Sequence, residues 1–127
     1  MVNTLLVMAG GAIGAALRYQ LGRASVHLFG TGWPAGTFAV NILGGFAMGL
    51  LAGWLAMRGH GGGEQIRLFA AVGILGGFTT FSSFSLEMML MIERGELASA
   101  LAYALLSVLL SVGALAAGLF IMRAVPA

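Results

Sequence analysis

The chain has 127 residues, 60% of them hydrophobic and 8% charged, with no cysteine and a mean hydropathy of +1.02. A soluble domain carries about 25% charged residues, so this composition belongs in a bilayer, and the missing cysteines exclude disulfides and thiolate chemistry. The net charge of +2 rests on six arginines scattered singly, with no lysine, which excludes the clustered basic face of a nucleic-acid binder.

Four apolar segments follow, each near the ~20 residues that cross a hydrocarbon core. The first predicts a helix over about 2–22. It has neither a basic leader nor a clear cleavage site, so it is expected to be a retained helix and not a signal peptide. Gly30, Gly32 and Pro34 favour a turn before the second helix, predicted over about 37–57. The Gly61-Gly62-Gly63 run then predicts a flexible surface loop. The third helix is expected over about 66–92, a tight turn at Glu93-Arg94-Gly95-Glu96, and the fourth over about 97–123. The chain thus reads as an all-α membrane protein, with residues 1–127 forming a single four-helix transmembrane domain.

The third segment is the unusual one. Between Arg67 and Glu87 lie 19 uncharged positions, and their middle holds Gly76-Gly77-Phe78-Thr79-Thr80-Phe81-Ser82-Ser83-Phe84-Ser85. Polar groups at membrane depth are costly and mark pathways or sites. The paired glycine predicts that the helix is broken near its middle, which the bilayer tolerates only where protein or a cavity covers the freed backbone. Near Gly76 to Thr80, carbonyls would lose their N–H partners, and freed carbonyls at mid-membrane suit a cation.

Glycines recur four apart at Gly10 and Gly14, at Gly45, Gly49 and Gly53, and at Gly73 and Gly77. Small residues on one face let membrane helices approach closely, either within one subunit or between subunits. With four spans, Arg58, Arg67 and Arg123 fall on the side of the termini and Arg18, Arg23 and Arg94 on the other. Orientation follows an excess of basic residues on one side, and here there is none. Balanced charge predicts insertion in both directions, and two opposed copies can pair about an axis in the membrane plane. A tight four-helix bundle fills its own middle with side chains, so a conduction path is expected along helix surfaces of a homodimer.

Enzymatic constellations are nearly absent. Of the four glutamates only Glu87 lies outside a loop, and His27 and His60 sit in loops on opposite sides with no third ligand. Ser82, Ser83 and Ser85 have no histidine at their depth to act as a base. What remains are neutral hydrogen-bonding groups: Asn41, the hydroxyls of the third helix, and Ser107 and Ser111, four apart on the fourth. Each alone is ordinary interhelical glue. As a set of uncharged donors they suit a small anion that must leave again, and the positive ring edges of Phe81 and Phe84 would face it.

At these residues the chain resembles the CrcB/Fluc family of small fluoride channels over essentially its full length. Gly10-Gly11, Gly14 and Arg18 look like that family's GGxxGxxxR, Gly36-Thr37 with Asn41 like its GTxxxN, and Gly76 to Ser85 like its GGxTTFSTFS, with Ser83 where threonine is usual. The resemblance implies passive, selective fluoride export that protects a prokaryotic cell from fluoride, through a multi-pass protein of the plasma (inner) membrane. It implies an antiparallel, dual-topology homodimer with two pores, and a structural sodium ion held on the two-fold axis by the backbone carbonyls of Gly76 and Thr79. It places the fluoride pathway at Asn41, Phe81 and Phe84, with a hydroxyl track at Ser82 or Ser85 and, by a looser match, Ser111; Ser107, one turn before Ser111 on the same face, is expected to belong to the same pathway. The fourth helix departs from the pattern: some members carry Asn or His where Ser107 stands and Thr where Leu115 stands. Arg18 is expected to be structural or to attract anions at a vestibule. Glu87 is expected near a pore mouth or, preferably, paired with an arginine.

Two other readings compete. A proton-coupled drug or guanidinium transporter needs an intramembrane carboxylate, and the first span has none. A non-conducting assembly subunit explains the glycines but leaves Asn41 and the polar third helix without purpose.

Overall fold

The computed structural model describes residues 1–58 and 63–125. His60 and the Gly61-Gly62 pair, predicted to lie in a surface loop, fall outside the described residues. The described chain is helical throughout. Helix α1 runs Val2–Phe29 and α2 Ala35–Arg58, followed by a third span, Gly63–Glu93, built from several pieces, and a final helix over Leu97–Ala124. All four spans are long and apolar enough to cross a membrane.

Helix α1 continues past its predicted end because nothing in Gly22–Phe29 interrupts it. His27, expected in a loop, therefore lies inside α1, and Arg23 sits 6.0 Å from the centre of the Tyr19 ring. The helix stops at Gly30, whose φ of 76° lies where a side chain would be strained; its amide donates to the Val26 carbonyl at 2.8 Å. Pro34 then precedes the first turn of α2, where its missing N–H costs nothing.

The third span comprises α3 (Gly63–Ile66), a π-helical segment (Arg67–Leu75), α4 (Gly76–Phe78) and α5 (Phe81–Glu93). Thr79 and Thr80 separate α4 from α5 with extended backbone, at φ/ψ of −84°/158° and −152°/123°. The interruption therefore falls at the threonines and not at the paired glycine, for Gly76 is helical with φ −63° and ψ −37°. The glycines serve close packing instead. A Cβ on Gly77 would lie 2.6 Å from the Gly11 carbonyl oxygen, and one on Gly14 would strike the Ile74 carbonyl.

At its far end α5 closes in a Schellman motif: the Gly95 amide donates to Ile92 O at 3.0 Å and the Glu96 amide to Met91 O at 2.9 Å, with Gly95 at φ 78°. Arg94 and Glu96 pair across this turn at 3.3 Å, and α6 (Leu97–Ala124) begins at once.

Two close helix pairs organise the bundle. The first half of the third span packs on α1 through Gly10, Gly14, Gly73 and Gly77, and α2 packs on α6 through Gly45, Gly49, Gly53 and Gly118. These glycine rows thus mediate packing within one chain. By contrast, Gly11 and Gly113 point their open sides at nothing within 4 Å. Helix α5 leans on α6 through a small aromatic cluster, with Tyr103 and Met91 fully buried beside Phe38 and Phe84.

Candidate functional site

The break is held by side chains from both neighbouring pairs. In a continuous helix the Thr80 amide would return to the Gly76 carbonyl and the Ser83 amide to that of Thr79. Here the Thr80 amide donates to Asn41 Oδ1 at 2.9 Å and the Ser83 amide to Thr80 Oγ1 at 3.1 Å. Asn41 Nδ2 in turn donates to the Thr80 carbonyl at 3.1 Å, and Arg18 Nε reaches the Gly77 carbonyl from the other side at 3.0 Å. The Thr80 hydroxyl is also the N-cap of α5. The four carbonyls from Gly76 to Thr79 thus lie where a continuous helix would serve them from the amides of Thr80 to Ser83, and Arg18 serves the Gly77 one instead.

Beside the break lies a groove of about 390 Å³ between α2, α5 and α6. Five of the sequence-predicted pathway residues, Asn41, Phe81, Phe84, Ser107 and Ser111, line it together, although they come from three helices. Asn41 has one of its two N–H groups engaged by Thr80, which leaves one for a ligand. Ser107 and Ser111 have buried hydroxyl oxygens with no hydrogen-bond partner. Leaving such a group unmade costs about 1–3 kcal/mol, so both are suited to a visiting polar species. The Phe81 and Phe84 rings stand 5.6 Å apart at 39°, and Phe81 is 78% exposed on the isolated chain.

Ser82 and Ser85 do not line this groove. Ser82 Oγ lies 3.3 Å from Thr80 Oγ1, and Ser85 donates back to the Phe81 carbonyl at 2.9 Å, the usual fate of serine on a helix. Arg18 lines a separate cavity of about 750 Å³ with Arg23, His27 and Thr37, reached past Thr80 and Ser83. Glu87 does not pair with an arginine: its Oε1 accepts from the Tyr103 hydroxyl at 3.3 Å, while the ion pairs among the described residues are Arg67–Glu64 and Arg94–Glu96. Arg94 is drawn to Glu96 across the turn, and Tyr103 stands directly opposite Glu87 on α6.

Tyr103 is the participant that sequence reasoning missed. Its ring lies 5.1 Å from Phe84, its hydroxyl holds Glu87, and it precedes Ser107 by four residues, as Ser107 precedes Ser111. That spacing was the available signal. The next position in the row is Leu115, so the hydroxyl line ends in an apolar residue at the groove's other end.

Residues 5–119 match the family model described as CrcB-like protein, Camphor Resistance (CrcB). The chain belongs to the CrcB-like family. It is 61% identical over 121 residues to a protein of Phenylobacterium zucineum (strain HLK1), covering 95% of each chain. It is 53% identical over 125 residues to one of Caulobacter vibrioides (strain NA1000 / CB15N), covering 98% of each. It is 48% identical over 126 residues to one of Mesorhizobium japonicum, covering 99% of this chain and all of the relative. Each of these CrcB-like relatives is named "Fluoride-specific ion channel FluC". Three features of this CrcB-like chain, the glycine contacts of α1, the Asn41 clamp and the threonine break, coincide with the three motifs quoted above.

Proposed function

We propose that this chain is a channel, not an enzyme, and that it conducts fluoride passively and selectively across a membrane. The observation that carries this is the pair of buried, unpartnered hydroxyls of Ser107 and Ser111 in the groove with Asn41 and the two phenylalanine rings. Fluoride is a small, strongly hydrated acceptor. Neutral N–H and O–H donors replace part of its water shell without the tight hold of a cation, so the ion enters and leaves. Ring edges supply the remaining positive potential in an otherwise dry place. The full-length likeness to proteins named as fluoride channels points the same way.

Phe81, which lines the groove, is 78% exposed on the single chain, which supports a second copy covering it. The working unit we propose is an antiparallel, dual-topology homodimer in the inner membrane of a prokaryote, with two pathways. Its central cation would be sodium, held by Gly76 and Thr79 carbonyls from both copies. The donor set fits such an ion: hard carbonyl oxygens at a helix break suit sodium. When bound, the ion would neutralise converging carbonyl dipoles; this chain's own residues hold those carbonyls in place.

Purified protein in sealed, fluoride-loaded liposomes tests the function with a fluoride electrode. Rapid loss that needs no proton gradient is expected. Fluoride retention overturns the channel, and drug-coupled proton uptake would instead favour an exchanger.

A further inference from the structure

We infer that Asn41 is a positioning residue that makes the break in the third span, and with it the carbonyl site, from the neighbouring helix. The inference rests on the cation site proposed above. Threonine is only a mildly poor helix former, and membrane depth strongly favours unbroken helix, so Thr79 and Thr80 do not explain an interruption by themselves. The ladder in fact survives through Thr79, whose amide still donates to the Leu75 carbonyl at 3.0 Å. It fails first at Thr80, the residue Asn41 grips.

Asn41 engages both backbone atoms of Thr80, accepting from its N–H at 2.9 Å and donating to its C=O at 3.1 Å. A carboxamide carries a donor and an acceptor side by side, like a peptide group. It therefore replaces what Thr80 gives up by leaving the helix. Without it, the nearest acceptor in the Thr80 amide's own segment is the Gly76 carbonyl, one helical turn back. Asn41 keeps that carbonyl free for a cation. Arg18 secures the other side by holding the Gly77 carbonyl at 3.0 Å. One side chain thus serves two sites: Asn41 lines the groove with one N–H left over, and its other polar atoms shape the backbone of Thr80.

The test compares unfolding midpoints of the purified full chain in detergent, in sodium chloride against N-methylglucamine chloride at equal ionic strength, since a ligand bound only to the folded state raises the midpoint. A sodium-specific rise is expected for the native chain and its loss for Asn41→Ala. Asn41→Ser is too short to reach both atoms of Thr80; it is also expected to lose the rise, and it carries the test where Asn41→Ala does not fold. Ser111→Ala touches the groove alone and is expected to keep the full rise. A wild-type sodium response in either Asn41 variant overturns the inference, as does a native chain with no sodium response. Fluoride loss from liposomes of the native chain is measured separately, so failure here leaves the channel standing.

Discussion

Ser107 and Ser111 owe nothing to the fold around them. Neither hydroxyl makes a protein hydrogen bond, yet both are buried, so removing one breaks no hydrogen bond within the protein. Ser111→Ala is therefore expected to leave the unfolding midpoint unchanged or slightly raised while fluoride flux falls about ten- to a hundredfold, because a hydrogen bond to an ion is worth about 1.5–3 kcal/mol. Liposome efflux and a thermal melt on the same preparation check both halves, and a lowered midpoint with normal flux would assign the serine to packing. Phe81→Ile keeps the polarity of a side chain that is 78% exposed but removes the ring edge. Flux slower than the native chain is expected by the same electrode measurement, and native flux would reduce the ring to filler. Residue types and spacing made much of this groove legible: Asn41, Phe81, Phe84, Ser107 and Ser111 follow from polarity at depth and from the motifs. Ser82 and Ser85 lie off this groove on the single chain, because a helix turns about 100° per residue and a serine is readily captured by the carbonyl four residues back, as Ser85 is. Tyr103 escaped notice because tyrosine near a helix end is ordinary at a membrane interface.

Helix positions were readable within about three residues except at the end of α1, which runs on to Phe29, but the internal form of the third span was not. Hydropathy registers that a segment is apolar and long; it does not register that Arg67–Leu75 winds as a π-helix, since a wider turn leaves composition unchanged. A paired glycine is also ambiguous by nature, serving a break or a close approach equally well, and here it serves approach. That distinction is testable at Gly77, where an added Cβ would lie 2.6 Å from Gly11 O and 3.2 Å from the Ala15 nitrogen. Both are backbone atoms and cannot rotate away. Gly77→Ala is expected to push α4 off α1 and destabilise the chain by about 1–3 kcal/mol, as overpacking does. The Arg18 bond to the Gly77 carbonyl would be lost with it. Gly113→Ala, where nothing lies within 4 Å, is the matched control and is expected to cost far less. Equal midpoints for the two variants would mean that α1 and α4 do not need their close approach.

A chain this size that fully buries so few large apolar side chains, among them Tyr103, Met91 and Val40, cannot be held together as a soluble domain is. Its outer leucines and valines, such as Leu109 at 65% and Val112 at 64% exposure, face lipid or another copy. Arg18 is bonded to the Gly77 carbonyl at the break, so the flanking arginines are Arg23 and Arg94 on one side and Arg58, Arg67 and Arg123 on the other, an excess of one that is a weak bias of orientation. If both orientations are needed, biasing one should be harmful and biasing two copies oppositely should be harmless. Thr31→Arg with Gly32→Arg adds two charges to the α1–α2 loop, where Gly32 has open space and an unstrained backbone. Asn3→Arg with Thr4→Arg adds two at the exposed start of α1. Each double variant expressed alone is expected to place its termini on one side, read by labelling a terminal tag in intact cells, and to lose most fluoride efflux. Co-expression of the two is expected to restore efflux, because each supplies the orientation that the other lacks. Full efflux from either double variant alone, with its tag on a single side, would show that parallel copies suffice and would separate the pathway from the antiparallel pair.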